Sequence, residues 1–199
     1  MRRSAEDTGA RVSALMEMES PCRLCPRECA ADRASGRTGF CGATAVLEIS
    51  SHGAHFGEEC ELVGTGGSGT IFFAHCNLGC VFCQNYEISH AGRGRPSTPR
   101  DLSAMMLALE QDGCANVNLV TPTHYAPQIV EAVGLARGAG LSVPIVWNSS
   151  GYESVEALKP LEGIVDIYMP DAKFGDGTVA ATLCRAPDYP ERMIAASRP

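Results

Sequence analysis

Three cysteines within eight residues constrain this chain more than any other feature of its sequence. Cys76, Cys80 and Cys83 have the spacing C-x3-C-x2-C, and they directly follow the apolar run at residues 70–74. Three thiolates can hold three irons of a cubane cluster and leave the fourth iron open to a small molecule. A zinc site and three buried thiols are the alternatives, but free cysteines rarely cluster in this way without a metal. The spacing therefore predicts a [4Fe–4S] cluster in the loop after a strand.

The composition is that of an ordinary globular chain that can bury a core. Of its 199 residues, 45% are hydrophobic and 20% are charged, which suits one large domain with a small appendage. The formal charge of −7 argues against a nucleic-acid surface. The chain has no apolar run of about 18 residues, so no membrane span is expected, and nothing near Met1 is typical of a signal peptide. We expect a cytoplasmic protein.

A second group of cysteines nearer the N-terminus supplies four thiols: Cys22, Cys25, Cys29 and Cys41. Four thiols suit either a closed zinc site or a complete iron–sulfur cluster, and the spacing does not decide between them. A disulfide knot fits poorly in a cytosolic chain. The arginines nearby would favour thiolates over thiols; they are Arg23, Arg27, Arg33 and Arg37. A four-ligand site has no open position, so we expect it to stabilise the fold rather than to catalyse.

The rest of the N-terminal part offers weaker signals. Residues 1–20 are expected to be a weakly helical, loosely attached start. Three further cysteines stand alone in the sequence, and we expect each to be a small buried hydrophobic residue: Cys60, Cys114 and Cys184. We place a cysteine-rich metal-binding segment at 1–62 and an α/β domain at 63–199.

Apolar runs alternate with helical patterns from residue 70 onward. The predicted strands are 70–74, 116–121, 143–147 and 164–169. A helix begins at Thr98, where Thr is the cap and Pro99 takes the first helical position, and it ends near Gly113. A second helix starts at Pro127 and a short third one covers 154–159. Strands that alternate with amphipathic helices predict a parallel sheet with right-handed crossovers.

Polar residues follow the predicted strands where each strand ends. Besides the cysteine motif they are Thr123, His124, Asn148, Ser149, Asp171 and Lys173. In parallel α/β folds, chemistry collects at the carboxyl ends of strands. Ordinary loop polarity and a surface Asp–Lys pair would explain some of these residues. Four successive polar strand ends, the first with three cysteines, favour one shared cofactor site.

Several further motifs carry a family resemblance that extends from about Cys22 to Tyr189. They lie at residues 22–29, 39–42, 55–59, 69–73, 80–86, 122–125 and 168–173. With the three-cysteine motif and the aromatic Phe82 before its last cysteine, they resemble the radical S-adenosylmethionine (SAM) proteins. Among these, the chain looks most like proteins similar to pyruvate formate-lyase-activating enzyme.

The resemblance implies a fold, two cofactors and a reaction. The fold would be a partial (β/α)6 barrel with the cluster after its first strand. SAM would chelate the open iron, and reductive cleavage would give a 5′-deoxyadenosyl radical that abstracts hydrogen from a substrate. In the activating enzymes that substrate is a glycine of a partner protein. The resemblance thus implies an oxidoreductase with an electron donor such as flavodoxin or ferredoxin, and with SAM contacts among the six polar strand-end residues.

The sequence departs from the family pattern at two points. Many radical SAM proteins carry Gly-Gly-Glu at the second strand end, whereas residues 121–124 here read Thr-Pro-Thr-His. We also count four barrel strands where the family implies six, which predicts a truncated barrel. Two alternatives therefore stay open. One is radical modification of a small molecule or side chain, and the other is a non-catalytic, truncated metal-binding fragment.

Overall fold

The computed structural model of this chain describes residues 5–198, which form a mixed α/β fold around a six-stranded sheet. The strands are β1 (Leu47–His55), β2 (Ser68–Phe73), β3 (Arg95–Ser97), β4 (Val117–Val120), β5 (Ile145–Ser149) and β6 (Ile167–Pro170). Their order across the sheet is β3-β1-β2-β4-β5-β6. The strand order is consistent with the predicted α/β class, while a partial barrel and its truncation remain predictions.

Eight α-helices and three 3-10 turns accompany these strands within residues 5–198. The helices are α1 (Ala5–Glu19), α2 (Cys60–Val63), α3 (Tyr86–Ser89), α4 (Pro99–Gln111), α5 (Ala126–Gly138), α6 (Val155–Leu158), α7 (Gly177–Cys184) and α8 (Tyr189–Ala196). The 3-10 turns are Arg33–Ser35, Thr123–Tyr125 and Lys159–Leu161. No helix in this part of the chain is long and apolar enough to cross a membrane.

The four predicted strands are confirmed as neighbours that run parallel. β2 pairs with β4, β4 with β5, and β5 with β6, all in the same direction. The boundaries of all four differ from the prediction by one to three residues; the largest differences are that Asn148 and Ser149 belong to β5 and that residues 164–166 precede β6. The carboxyl ends of β2, β4, β5 and β6 therefore meet along one edge, as the shared-site prediction requires.

The sheet also extends to the other side of β2, where two antiparallel strands join it that the prediction of a parallel sheet from residue 70 onward did not include. β1 pairs with β2 in the antiparallel direction, and β3 pairs with β1 in the same way. Only residues 56–67 separate β1 from β2, and antiparallel strands need no long crossover. The three-residue β3 was not predicted, since Pro96 lies at its centre and interrupts a strand pattern.

The two faces of the parallel strands differ in polarity. One face packs Ile71, Leu119 and Trp147 into the main apolar core together with residues of α4 and α5. The opposite face carries Thr70 and Asn118, which pair in register and are both buried. Burial of both faces explains why these strands appear in the sequence as short apolar runs with only occasional polar residues.

The N-terminal helix is part of this core rather than a loosely attached start. Leu15 is fully buried in the main core, and Met18 is 8% exposed. Arg11 Nη1 donates hydrogen bonds to the carbonyls of Pro160 (2.7 Å) and Glu162 (2.8 Å). Gly134 of α5 leaves room for α1, because a Cβ there would come within 2.6 Å of Thr8 Cγ2. The expectation of loose attachment was wrong for residues 5–19; residues 1–4 lie outside the described part.

Candidate metal centre

The three-cysteine motif forms a loop directly after β2, at the shared edge of the parallel strands. Cys80 is buried, and Cys76 and Cys83 are partly exposed. All three contact a small apolar cluster that includes Leu78, Tyr152, Phe174 and Tyr189. The loop therefore places the three thiols against one small apolar cluster, next to the ends of the other parallel strands.

Hydrogen-bond donors point at the sulfurs of this loop. The Leu78 N–H donates to Cys76 Sγ (3.4 Å), and Ser89 Oγ donates to Cys83 Sγ (3.2 Å). Cys80 has a hydrogen-bonding contact with the Cys184 thiol and lies within electrostatic range of Lys173. A cluster held by three thiolates is anionic, and such donors and positive charge stabilise it.

Burial determines the protonation of these thiols when no metal is bound. It raises the pKa of Cys76 above its ordinary value, although backbone N–H groups at Gly79 and Leu78 act in the opposite direction. Burial, followed by the contact with Cys184, raises the pKa of Cys80 to about 12. Both thiols are therefore neutral near pH 7 in the metal-free chain, and binding iron must displace their protons.

Two unusual backbone positions shape the loop. His75, just before Cys76, has φ of +73°, and its Nε2 pairs with Glu48 Oε2 of β1 at 2.8 Å. Gly79 has φ of +63°, and a Cβ there would lie 3.1 Å from the Phe40 ring. Glycine is therefore favoured at position 79 both for its backbone conformation and for the close approach of Phe40.

The side chain of Arg27 joins this loop to two other parts of the chain. Its Nε donates to the Asn77 carbonyl (3.0 Å), and its Nη2 donates to the carbonyls of Leu78 (3.0 Å) and Cys184 (2.7 Å). Its Nη1 donates to the carbonyl of Arg185. The sequence placed Arg27 near the N-terminal cysteines but gave no sign of these contacts.

The four N-terminal cysteines lie near one another and near the first motif. Cys22 and Cys25 are buried, Cys41 is partly exposed and Cys29 is exposed. Cys22 is within electrostatic range of Cys29, and Cys25 of Cys41, which in turn is within range of Cys76. The structure thus brings together the residues that the spacing groups, and it puts the two groups side by side.

A buried positive charge accompanies the N-terminal cysteines. The Arg33 side chain is 1% exposed and donates to the carbonyls of His124 (2.6 Å) and Thr44 (2.5 Å). Its Nε has no hydrogen-bond partner, and Glu19 lies 3.6 Å from its Nη2. Arg33 also acts on the Cys22 thiol, whose pKa burial raises and the guanidinium lowers. An anionic metal–thiolate centre at Cys22 would give this cation a second anionic partner beside Glu19.

Within residues 5–198 no three His, Cys, Asp or Glu side chains converge as a single metal ion would require. A zinc ion needs its thiolates at about 2.3 Å from one point. A cubane cluster bonds each thiolate to a different iron, so its ligands need not share a centre. The absence of a single-ion site among the described residues therefore does not bear on a cluster at the three loop cysteines.

The predicted cofactor residues at the strand ends fall into two groups. Thr123, His124 and Ser149 are buried, whereas Asn148 is partly exposed. Asp171 and Lys173 lie beyond β6, are exposed and form an ion pair with each other. The structure does not test which of these six residues contact a cofactor.

Buried hydrogen bonds occupy the first group. Thr123 Oγ1 donates to Glu153 Oε1 (2.7 Å), and Ser149 also hydrogen bonds to this carboxyl group. His124 Nε2 donates to the Ala74 carbonyl (2.8 Å), and burial lowers the pKa of His124 to about 3. These side chains hold strand ends together as they stand.

Glu153 is a site residue that the sequence did not reveal. It is 4% exposed, and burial raises its pKa to about 7 in spite of hydrogen bonds from Thr123, Ser149 and Trp147. It joins the end of β5 to the 3-10 turn after β4. A glutamate six residues after a predicted strand end is a weak sign, because loops commonly carry such residues.

The isolated cysteines differ in their environment. Cys114 is buried, as expected, but Cys60 is exposed and contacts the Glu61 carboxylate at 3.0 Å. The expectation for Cys60 was therefore wrong, because the short α2 lies at the surface. Cys184 is buried as expected, yet it contacts Cys80 rather than standing alone.

Comparison with known proteins decides the family of this arrangement. A family model of the radical SAM superfamily matches residues 70–197, from β2 to the end of α8. The chain belongs to the radical SAM superfamily. Proteins of this superfamily are typically enzymes that use a [4Fe–4S] cluster and SAM.

One relative extends the match toward the N-terminus without adding a function. A protein of Methanocaldococcus jannaschii, itself described as uncharacterized, is 34% identical over 177 residues. The match covers 84% of this chain and 50% of the relative, so the chain spans about half of that protein's length. No solved structure matches the chain.

Proposed function

We propose that this radical SAM chain binds a [4Fe–4S] cluster at Cys76, Cys80 and Cys83 and cleaves SAM to abstract hydrogen from a substrate. The observation that supports this most is the loop itself, which presents three thiols and their donors at the common edge of β2, β4, β5 and β6. Bound there, the reduced cluster supplies the electron that releases a 5′-deoxyadenosyl radical from SAM.

The chain's own residues would bind and shield the cofactors. Asn148 and Lys173 are the better candidates for SAM contacts, because each retains exposed surface beside the loop. Lys173 suits the SAM carboxylate, with Asp171 on the ribose hydroxyls. Thr123 and Ser149 would act indirectly, since their hydroxyls already bond to Glu153, and His124 is buried with its Nε2 on the Ala74 carbonyl.

We further propose that the reaction resembles that of a glycyl-radical activase, in which the substrate is a glycine of a partner protein. The resemblance of the motifs at 22–29 and 168–173 to activating-enzyme-like proteins supports this proposal. Flavodoxin or ferredoxin would be the electron donor. The N-terminal cysteines Cys22, Cys25, Cys29 and Cys41 would bind a second cluster, or zinc if their thiols move together onto one ion, and either would stabilise the segment around them.

The test is anaerobic reconstitution with iron and sulfide, followed by measurement of 5′-deoxyadenosine from SAM and dithionite. Wild-type protein and a Cys60→Ala control should form it, because Cys60 is exposed and remote from the loop motif. A Cys80→Ala variant should form none. If wild type and Cys80→Ala give equal amounts, the assignment of the loop is wrong.

A glycyl-radical protein added to the active sample tests the activase proposal separately. Its glycine radical should appear in the EPR spectrum in step with 5′-deoxyadenosine. If 5′-deoxyadenosine forms but deuterium from a labelled glycine never enters it, the activase reaction is excluded. The radical modification of a small molecule or side chain would then account for SAM cleavage.

A further inference from the structure

The contacts of Arg27 suggest more than a structural clamp. Its guanidinium lies 3.6 Å from the centre of the Phe40 ring and 5.1 Å from that of Tyr152. Its hydrogen bonds reach the carbonyls of Asn77 and Leu78, inside the C-x3-C part of the loop. A guanidinium is planar and always charged, so this position is both rigid and permanently positive.

Each of these two carbonyls belongs to a peptide group whose other end faces Cys76. The Asn77 carbonyl and the Leu78 N–H share one peptide group, and that N–H donates to Cys76 Sγ at 3.4 Å. The Leu78 carbonyl and the Gly79 N–H share the next one, and the Gly79 N–H acts on the Cys76 thiol in the direction that lowers its pKa. The C=O and N–H of a trans peptide point in opposite directions, so both groups lie between the Arg27 cation and the sulfur.

Hydrogen bonds that are linked in series, here from guanidinium to peptide group to sulfur, polarise one another. A cation at the carbonyl draws electron density away from the amide nitrogen and makes its N–H a stronger donor. Hydrogen bonds to cluster sulfurs are among the factors that set the reduction potential of an iron–sulfur centre. Stronger donors favour the reduced cluster, because reduction adds negative charge to it.

We propose that Arg27 is a positioning residue that orients and polarises the Leu78 and Gly79 N–H groups toward Cys76, and thereby raises the reduction potential of the cluster. The inference rests on the proposed cluster at Cys76, Cys80 and Cys83. It gives the N-terminal segment a role in electron transfer, because Arg27 lies in the chain between Cys25 and Cys29. A metal that fixes Cys25 and Cys29 would therefore also fix Arg27, and through it the Leu78 and Gly79 N–H groups.

The contacts with α7 keep Arg27 in this position. Its bonds to the carbonyls of Cys184 and Arg185 satisfy the free C-terminal end of that helix. The Val81 N–H also donates to the Leu183 carbonyl (3.0 Å), which docks the loop directly on α7. The loop therefore retains an anchor when Arg27 is changed, so that variants can report on polarisation.

The test compares Arg27→Gln and Arg27→Lys with Arg23→Gln, whose original side chain is exposed in the same segment. The midpoint potential is measured by anaerobic redox titration followed by EPR, with iron content determined in the same samples. For Arg27→Gln we expect about a tenfold lower ratio of reduced to oxidised cluster at a fixed potential, which corresponds to about 59 mV. Arg27→Lys keeps the charge without the planar guanidinium, so its ratio of reduced to oxidised cluster should fall by about threefold. In Arg23→Gln the ratio should stay within about twofold of wild type.

The proposal is overturned if both Arg27 variants, at equal iron content, give a ratio of reduced to oxidised cluster within about twofold of wild type at the same potential. If Arg27→Gln does not fold, Arg27→Lys decides by the same criterion. Hydrogen exchange of the Leu78 and Gly79 amides in metal-free protein gives a second readout. We expect faster exchange in Arg27→Lys than in Arg23→Gln, and equal rates would contradict the orienting role.

The exchange readout also separates this inference from the proposed function. If wild-type protein takes up no cluster, the proposed function fails, and exchange in the metal-free loop still decides whether Arg27 orients the two amides. If wild type binds the cluster and the Arg27 variants match it in both readouts, only the inference about Arg27 fails.

Discussion

The stability of the fold should depend on pH through Glu153, whose carboxyl group is buried between the ends of β4 and β5. Its pKa is raised from 4.5 to about 7, chiefly by burial. The folded protein therefore binds a proton more tightly than the unfolded chain does. The stability that this proton contributes is fully present below pH 4.5, falls as pH rises, and is lost above about 7.

The size of the effect follows from this interval of pH. Each pH unit corresponds to about 1.4 kcal/mol, so deprotonation of Glu153 should cost about 3 kcal/mol of unfolding free energy between pH 4.5 and pH 8. His124 acts in the opposite direction, since burial lowers its pKa from 6.5 to about 3. The stability that neutral His124 contributes is fully present above pH 6.5 and is lost as the pH falls toward 3. The effects of Glu153 and His124 on the unfolding free energy therefore partly cancel in wild type.

Glu153→Gln isolates the Glu153 contribution, because the amide keeps the shape of a protonated carboxyl group and does not titrate. Urea unfolding at pH 5 and pH 8, with equal metal content in all samples, should show wild type losing about 2.5 kcal/mol relative to Glu153→Gln as pH rises. A Glu156→Gln variant, on the exposed α6, should follow wild type. Parallel pH profiles for wild type and Glu153→Gln would refute the reasoning.

Two further pairs of substitutions, each a test and its control, examine the packing of the cysteine loop and of α1. Gly79→Ala should cost about 1–2 kcal/mol for its left-handed backbone and more for the Phe40 contact. Gly113→Ala, at φ of +89° with nothing within 4 Å of its Cβ, should show the backbone cost alone in thermal unfolding. Leu15→Ala should destabilise by about 2–5 kcal/mol, because Leu15 is fully buried. Met16→Ala, at a 47% exposed position of the same helix, should cost less than about 1 kcal/mol, and equal losses in urea unfolding would argue against docking of α1.

The parts that the sequence predicted are those that neighbouring residues encode. The C-x3-C-x2-C spacing lies within one loop, so the sequence alone places these three cysteines together after β2, while their role as cluster ligands stays a prediction. The four parallel strands and the capped start of α4 at Thr98 also follow from local patterns. Thr98 and Asp101 form the reciprocal cap that this sequence pattern indicates.

The parts that it missed depend on residues that are distant in the chain. Arg27 reaches Asn77 and Cys184, which lie 50 and 157 positions further along. Neither local propensity nor periodicity carries information about such partners. Glu153 likewise acquires its raised pKa from the burial that the surrounding fold imposes. The antiparallel pairing of β1 was missed because the exposed end of this strand, from Ser51 to His55, lacks an alternating apolar pattern.

The most direct test of the central claim is the Mössbauer spectrum of the anaerobically reconstituted protein, recorded without and with SAM. Three protein thiolates leave one iron of a [4Fe–4S] cluster without a protein ligand. We predict that one iron site of the four changes its isomer shift when SAM is added. A spectrum in which all four irons remain equivalent in the presence of SAM would contradict the assignment of Cys76, Cys80 and Cys83 as a SAM-binding cluster site.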